Sequence, residues 1–254
     1  MTQKVKPTPA LVLFVLLSRT VVSVEFAYNG FNEVEVSNLS VNGGCSNSKN
    51  GVLQLTNETS RVVGHVFYKN PIKFKNDKFS NNVSFFSTGF AFAFGVVPEY
   101  AKLGGHGFAF TISRSKEMKG ALPSRYLGLS NNSDVGNFSN HLFAVEFDTV
   151  QDFEFGDISD IHVGIDINDL ESNSSVNASY FSEGNFTKQN LFLQCGKTIQ
   201  AWIDYDSSRN LLNVTLSICI GILVLMRVMI NFSCSLSPDN VDGVDMTLIA
   251  ELLQ

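Results

Sequence analysis

From Glu25 onward, apolar residues recur at every second position in short runs, and that period most limits the folds open to this chain. Val52 to Leu55, Phe85 to Phe94, Gly107 to Ile112, Leu142 to Phe147, His162 to Ile167 and Ile199 to Tyr205 are rich in Phe, Val and Ile. Gly, Asn, Ser and Asp separate them. Such runs are predicted to be β-strands. In Phe-Ala-Phe-Ala-Phe, residues 90–94, the three Phe fall on one face and the two Ala on the other, because side chains alternate across a strand. A strand bulky on one side only suits two sheets packed face to face. No helical periodicity, Gly-rich phosphate loop or internal repeat is visible before residue 216. The sequence therefore predicts an all-β fold, an antiparallel β-sandwich.

Composition supports a folded chain: 44% hydrophobic residues with 22 Phe, against 17% charged, can bury a sizeable core. The formal charge of −6, with no Lys/Arg cluster, argues against nucleic acid as a partner and favours cations. Lys4 and Lys6 precede an apolar run from Ala10 to Leu17 and small residues near Val21 to Ser23, the layout of a cleaved signal peptide over residues 1–23. Export is the expectation that follows. Asn-x-Ser/Thr acceptors at Asn38, Asn57, Asn82, Asn131, Asn137, Asn173, Asn177, Asn185, Asn213 and Asn231 fit the same secretory route to a glycoprotein. In that compartment Cys45, Cys195, Cys219 and Cys234 could pair in any of three ways, and none has zinc-site spacing.

The chain changes character near its end. Leu216 to Ile230 is continuously apolar but carries Arg227 where the middle of a membrane span would lie, so it reads as a buried strand or helix and membrane attachment is not expected from it. Ser233 to Gln254 is polar, acidic around Asp239 to Asp245, and reads as a tail. The expected organisation is a domain over residues 24–216 followed by a divergent apolar segment and acidic tail over 217–254.

The stretch from Ala144 to Asp166 carries the chemistry. Glu146 and Asp148 are two apart on a predicted strand, so both carboxylates leave the same face. Like charges so close repel unless a cation lies between them. An Asp-rich loop follows, and the chain returns with His162 at the start of the next strand. Carboxylate and carbonyl oxygens suit calcium, and one imidazole added to carboxylates suits a transition ion such as manganese. The spacing permits two adjacent ions sharing Asp148 and Asp157. Hydrophobic strand residues on both sides imply burial, and unpaired buried carboxylates are costly.

Phe143 to Asp166 resembles the signature of the legume-type (L-type) lectins, a Val-Glu-Phe-Asp-Thr strand, a metal loop and a His-Val-Gly-Ile-Asp strand. Further pieces match in order: Gly64 to Ile72, Phe85 to Phe90, Gly105 to Phe110, Tyr126-Leu-Gly-Leu, and Ile199 to Asp206. The likeness runs from about Glu25 to Leu216, and its wording is similar to the ectodomains of plant L-type lectin receptor kinases. The resemblance implies a legume-lectin jelly roll and a secreted or plasma-membrane-associated binding module that is not an enzyme. Its partners would be glycans or glycoproteins, and it could pair as a homodimer. Residues after Leu216 show no match to the family's later strands, so the resemblance also implies missing C-terminal strands.

Carried over residue by residue, the pattern makes Glu146, Asp148, Asp157 and His162 the Mn2+ ligands, and Asp148, the carbonyl of Val150, Asp152 and Asp157 the Ca2+ ligands. The carbohydrate positions fall on His106, Arg125 and Asp152. His106 stands where the family has an Asp after a cis peptide bond, Ser124 and Arg125 stand where it has a Gly pair, and Asp152 replaces the usual Asn. Val150 replaces a stacking aromatic; Phe153 or Phe155 is either a ring supplied from elsewhere in the loop or, the favoured reading, loop core. An imidazole accepts fewer hydrogen bonds than a carboxylate, so the resemblance implies retained metals and weakened monosaccharide recognition. A non-sugar interaction module is the alternative. A glycosidase is disfavoured because Glu146 and Asp148 lie too close on one face to flank a glycosidic bond.

Overall fold

A computed structural model describes residues 24–31, 37–47, 50–72, 74, 85–95, 105–181, 187–220, 223–233 and 245–252, with side chains as far as Ile218. The expected signal peptide lies outside these residues. Strands are numbered in chain order. One sheet of seven strands runs β1 (Leu39–Gly43), β4 (Val62–Tyr68), β15 (Asp245–Leu252), β6 (Gly107–Ser113), β7 (Phe143–Asp148), β8 (His162–Ile167) and β9 (Ser174–Asn177). A second, of four strands, runs β14 (Leu223–Ser233), β13 (Leu211–Ile220), β12 (Ile199–Asp206) and β5 (Phe86–Phe92). Two small ribbons pair β2 (Ser46–Asn47) with β3 (Leu53–Gln54) and β10 (Ser179–Phe181) with β11 (Lys188–Asn190). Neighbouring strands pair antiparallel wherever a register is defined.

The predicted alternation is what closes the sandwich. Phe90, Phe92 and Phe94 turn inward while Ala91 and Ala93 are exposed. Across the interior, Phe92 stacks on Phe108 of β6 with ring centroids 5.0 Å apart, and Phe90 meets Phe147 of β7 edge-on at 6.1 Å. Such pairs add about 0.5–1.5 kcal/mol each beyond the area they bury. Phe143, Val145 and Phe147 fill the same core from β7, with Val163 and Ile165 from β8. The alternate residues of β7 therefore face the other side of the seven-stranded sheet. A slip of one residue would drive Glu146 and Asp148 into the phenylalanine core, so register is strongly specified here.

The end of the chain sharpens one expectation and corrects another. The apolar segment from Leu216 to Ile230, read as a buried strand or helix, is strand in two parts: β13 runs on to Ile220 and β14 returns from Leu223, paired Ile220 to Leu223. The expected acidic tail contains β15, which inserts between β4 and β6 and pairs with both. Its sequence, Asp-Met-Thr-Leu-Ile-Ala-Glu-Leu, alternates in a way the acidic residues before it obscured. Two sheet neighbours satisfy its backbone groups, which outweighs local polarity. No helix among the described residues is long and apolar enough to cross a membrane.

Candidate metal and carbohydrate site

Adjacent strands bring the acidic residues together. β7 pairs with β8 so that Glu146 lies opposite Gly164 and Ala144 opposite Asp166. Glu146, Asp148 and His162 are all buried despite facing away from the phenylalanine core, because the loop from Val150 to Ile161 folds back over them. A short 3-10 turn at Phe153–Phe155 shapes that loop. Phe155 anchors it, packing edge-on against Tyr126 at 5.7 Å in a second hydrophobic cluster with Leu127, Leu129, Leu142 and Leu170.

Two groups of ligand atoms result, each within 4.8 Å: Glu146, Asp157 and His162, and Asp148, Asp152 and Asp157. Asp157 is common to both. Asp148 stands in the second group. Its Oδ1 accepts from the Val150 amide at 2.7 Å, which turns the carboxylate toward the loop. Asp157 Oδ2 in turn accepts from the Asp152 amide at 2.6 Å, and its carbonyl accepts from Gln151 Nε2 at 2.9 Å. Val150 enters the geometry through its amide.

His162 is oriented by its backbone. Nδ1 lies 2.7 Å from the carbonyl of Ser159, which can only accept, so Nδ1 carries the proton and Nε2 is the atom turned to Glu146 Oε1 at 3.0 Å and Asp157 Oδ1 at 3.8 Å. The hydrogen bond made by one ring nitrogen selects the other for a metal. Burial alone would lower the His162 pKa, but the hydrogen bond and charge of Glu146 outweigh it and push it up to about 9. Burial, reinforced by Glu146, holds the Asp148 carboxyl well above its usual range, and burial raises Asp157 to about 6.

Two residues escaped the sequence reading. Ser172 Oγ lies 2.7 Å from both Glu146 Oε1 and Asp166 Oδ1. A hydroxyl has one proton, so it donates to one carboxyl at a time. Burial, and then the charge of Glu146, drives the Asp166 carboxyl well above its usual range. The other oxygen of Asp166 is buried without a partner. The period of two that places His162 and Asp166 on one face could have found Asp166; nothing in the sequence marked Ser172. Gly164 makes the arrangement possible: a Cβ there would stand 2.0 Å from Ser172 Oγ and 2.3 Å from Glu146 Oε1.

The donor set fits the expected pair of ions. Buried carboxylates raised toward neutrality, beside an imidazolium at the same spot, are groups that a divalent cation would deprotonate and pair. Glu146, Asp157 and His162 offer the mixed nitrogen and oxygen set of a transition ion, and Asp148, Asp152 and Asp157 the all-oxygen set of calcium. Bound ions would supply the positive charge that holds these carboxylates and the loop in one arrangement.

The carbohydrate positions look different. His106 Nδ1 lies 2.7 Å from Asp152 Oδ2, and Arg125 bridges to Glu154 at 2.7 Å and donates to the Tyr126 hydroxyl at 3.1 Å. Both residues are thus engaged by the protein itself. Thr149 fastens the His106 segment to the loop, donating its amide to the His106 carbonyl at 2.9 Å and its hydroxyl to the Gly105 carbonyl. The expected cis bond before His106 is not found, as no peptide bond among the described residues is cis. A Gly–His bond favours trans by about 3 kcal/mol, and the contact with Asp152 is made from that geometry. Ser124 has a left-handed backbone, φ 66°. Of the two candidate rings, Phe155 is loop core, while Phe153 is 80% exposed. Cys45 and Cys195 are both free; burial raises the Cys45 thiol to about 11.

A two-sheet all-β sandwich with an acidic loop at one end describes a class of binding domain, and comparison with known proteins places it. The profile of the Legume lectin domain matches residues 23–237, and the chain belongs to that family. The family's domain is a carbohydrate-binding module, not a catalytic one. The chain is 38% identical over 222 residues to the L-type lectin-domain containing receptor kinase SIT2 of Oryza sativa, and 46% identical over 194 residues to receptor kinase V.9 of Arabidopsis thaliana. These matches cover 84% and 76% of this chain but 32% and 27% of those proteins. The chain therefore spans about a third of the length of its curated relatives. Among solved structures, peanut lectin with a nine-residue peptide superposes with TM-score 0.70 at 25% identity, covering 88% of this chain and 87% of that one. Winged bean acidic lectin complexed with methyl-α-D-galactose superposes at 0.68, with 25% identity and the same coverage.

Proposed function

We propose that this chain is an extracellular glycan-recognition module whose binding loop is held by a calcium ion and a transition ion such as manganese. The observation that carries this reading is the pair of ligand groups sharing Asp157, built from residues on two strands and one loop. Within it, the polar rim is His106 with Asp152 and Arg125 with Glu154, tied to the first and last residues of the tripeptide Asp-Phe-Glu at 152–154. Phe153, between them in sequence and 80% exposed, offers a face for the apolar side of a sugar ring. Internal pairing of the rim leaves fewer free acceptors than a lone carboxylate would, which favours oligosaccharides over single sugars. The test is a glycan array run with and without chelator. Binding that chelator abolishes supports the reading; metal uptake with no glycan signal overturns it.

A second reading, a module that binds peptide or another protein, is favoured by the same internally paired rim, and peanut lectin is known with a peptide bound. A partner retained in the presence of both chelator and competing sugar would select it.

A further inference from the structure

We propose that two of the sequence's Asn-x-Ser/Thr acceptors, Asn57 and Asn137, carry N-linked oligosaccharides. The assignment rests on the export reading above and on local geometry. In Asn57-Glu-Thr59 all three residues are exposed, and Asn57 Oδ1 accepts from the Thr59 amide at 2.8 Å. In Asn137-Phe-Ser139, again exposed throughout, Asn137 Oδ1 accepts from the Ser139 amide at 3.0 Å and from its hydroxyl at 2.9 Å. Both bonds are made within three residues, so the turn is open to the chain before long-range packing forms. Loading the carboxamide oxygen in this way leaves Nδ2 as the outward atom.

The other described acceptors differ for physical reasons. Asn131 makes the same turn, but its Nδ2 already donates to Asp134 at 2.7 Å. Asn177 is half-buried and accepts from Ser159 Oγ at 2.7 Å, and Ala178 and Ser179 behind it are buried completely. Asn213 has its Oδ1 enclosed, with Val214 and Thr215 buried. At Asn38 and Asn173 the hydroxyl residue two places on, Ser40 or Ser175, lies in a strand ladder, which holds the tripeptide extended.

In the transfer, Asn Nδ2 forms a bond to the anomeric carbon of an oligosaccharide carried on a polyprenyl diphosphate. That carbon's bond to the diphosphate breaks, the diphosphate leaves with the electron pair, and the amide nitrogen gives up one proton. A glycan so attached must leave the folded surface, which Asn57 and Asn137 permit and Asn177 and Asn213 do not.

The full chain is expressed in plant secretory cells, once from its own N-terminus and once behind an ordinary cleaved leader, so that failed export and failed site assignment are told apart. The purified protein is treated with peptide N-glycosidase in heavy-oxygen water and its peptides are mapped by mass spectrometry. Label at Asn57 and Asn137, with Asn177 and Asn213 unlabelled, is the expected result. T59A and S139A should each remove one glycan, seen as a gel shift. Exported protein lacking label at either Asn57 or Asn137, or labelled as fully at Asn177 or Asn213, overturns the proposal.

Discussion

The acidic loop and the proposed carbohydrate rim sit next to each other yet stand on different physical footing. Glu146, Asp148 and His162 project from paired strands whose opposite faces fill the core, so their positions are fixed by register. His106 and Arg125 sit in connecting segments, where a new side chain finds a new partner without disturbing a ladder. The strand-borne ligands answer to every residue of the sandwich, and the rim answers only to its neighbours. That difference makes the first region the harder of the two to alter by single substitutions.

The largest effect that would sharpen the comparison is at the anchor between the regions. Phe155→Ala empties a buried site against Tyr126 and should lower stability by about 3 kcal/mol, measured by urea unfolding, whereas Phe153→Ala should leave the urea midpoint within error. Next is Asp157→Ala, which takes the member common to both ligand groups. Metal content and calcium titration should show affinity reduced on the order of 100-fold or more for both ions, at least the loss typical of removing an outer partner. Retention of either ion at full strength would separate the two sites and break the shared-ligand picture.

Acidity gives a third, opposite-signed pair of outcomes. In metal-free protein, Asp157 is raised from 3.8 to about 6 and His162 from 6.5 to about 9, so the folded state holds more protons than the unfolded one. Stability should therefore be highest below pH 4 for the Asp157 contribution and below pH 6.5 for that of His162. Each is lost as pH rises through about 6 and about 9 respectively. Metal binding needs the deprotonated groups and should strengthen over the same interval. Melting curves with and without chelator should thus diverge as pH rises and converge near pH 4. The smallest effects belong to the rim. Phe153→Ala should weaken oligosaccharide binding roughly three- to tenfold, and Arg125→Ala, at an exposed ion pair, should alter glycan preference on an array with no change in melting temperature.

The sequence by itself determined the sandwich and which face the paired carboxylates leave. Period two fixed the strands, with His162–Ile167 legible to the residue, and the same period put Glu146 and Asp148 on one face. Local information suffices there, because a strand's face is set by its own alternation. The tertiary structure alone decided the rest. It inserted β15 from an acidic stretch between β4 and β6, brought Ser172 onto Glu146 and Asp166, and tied His106 to Asp152 across 46 residues. It also sent Phe155 into the core while leaving Phe153 in solvent. These outcomes depend on which partner arrives from elsewhere in the chain, and two phenylalanines one residue apart in a loop carry no alternation to tell them apart.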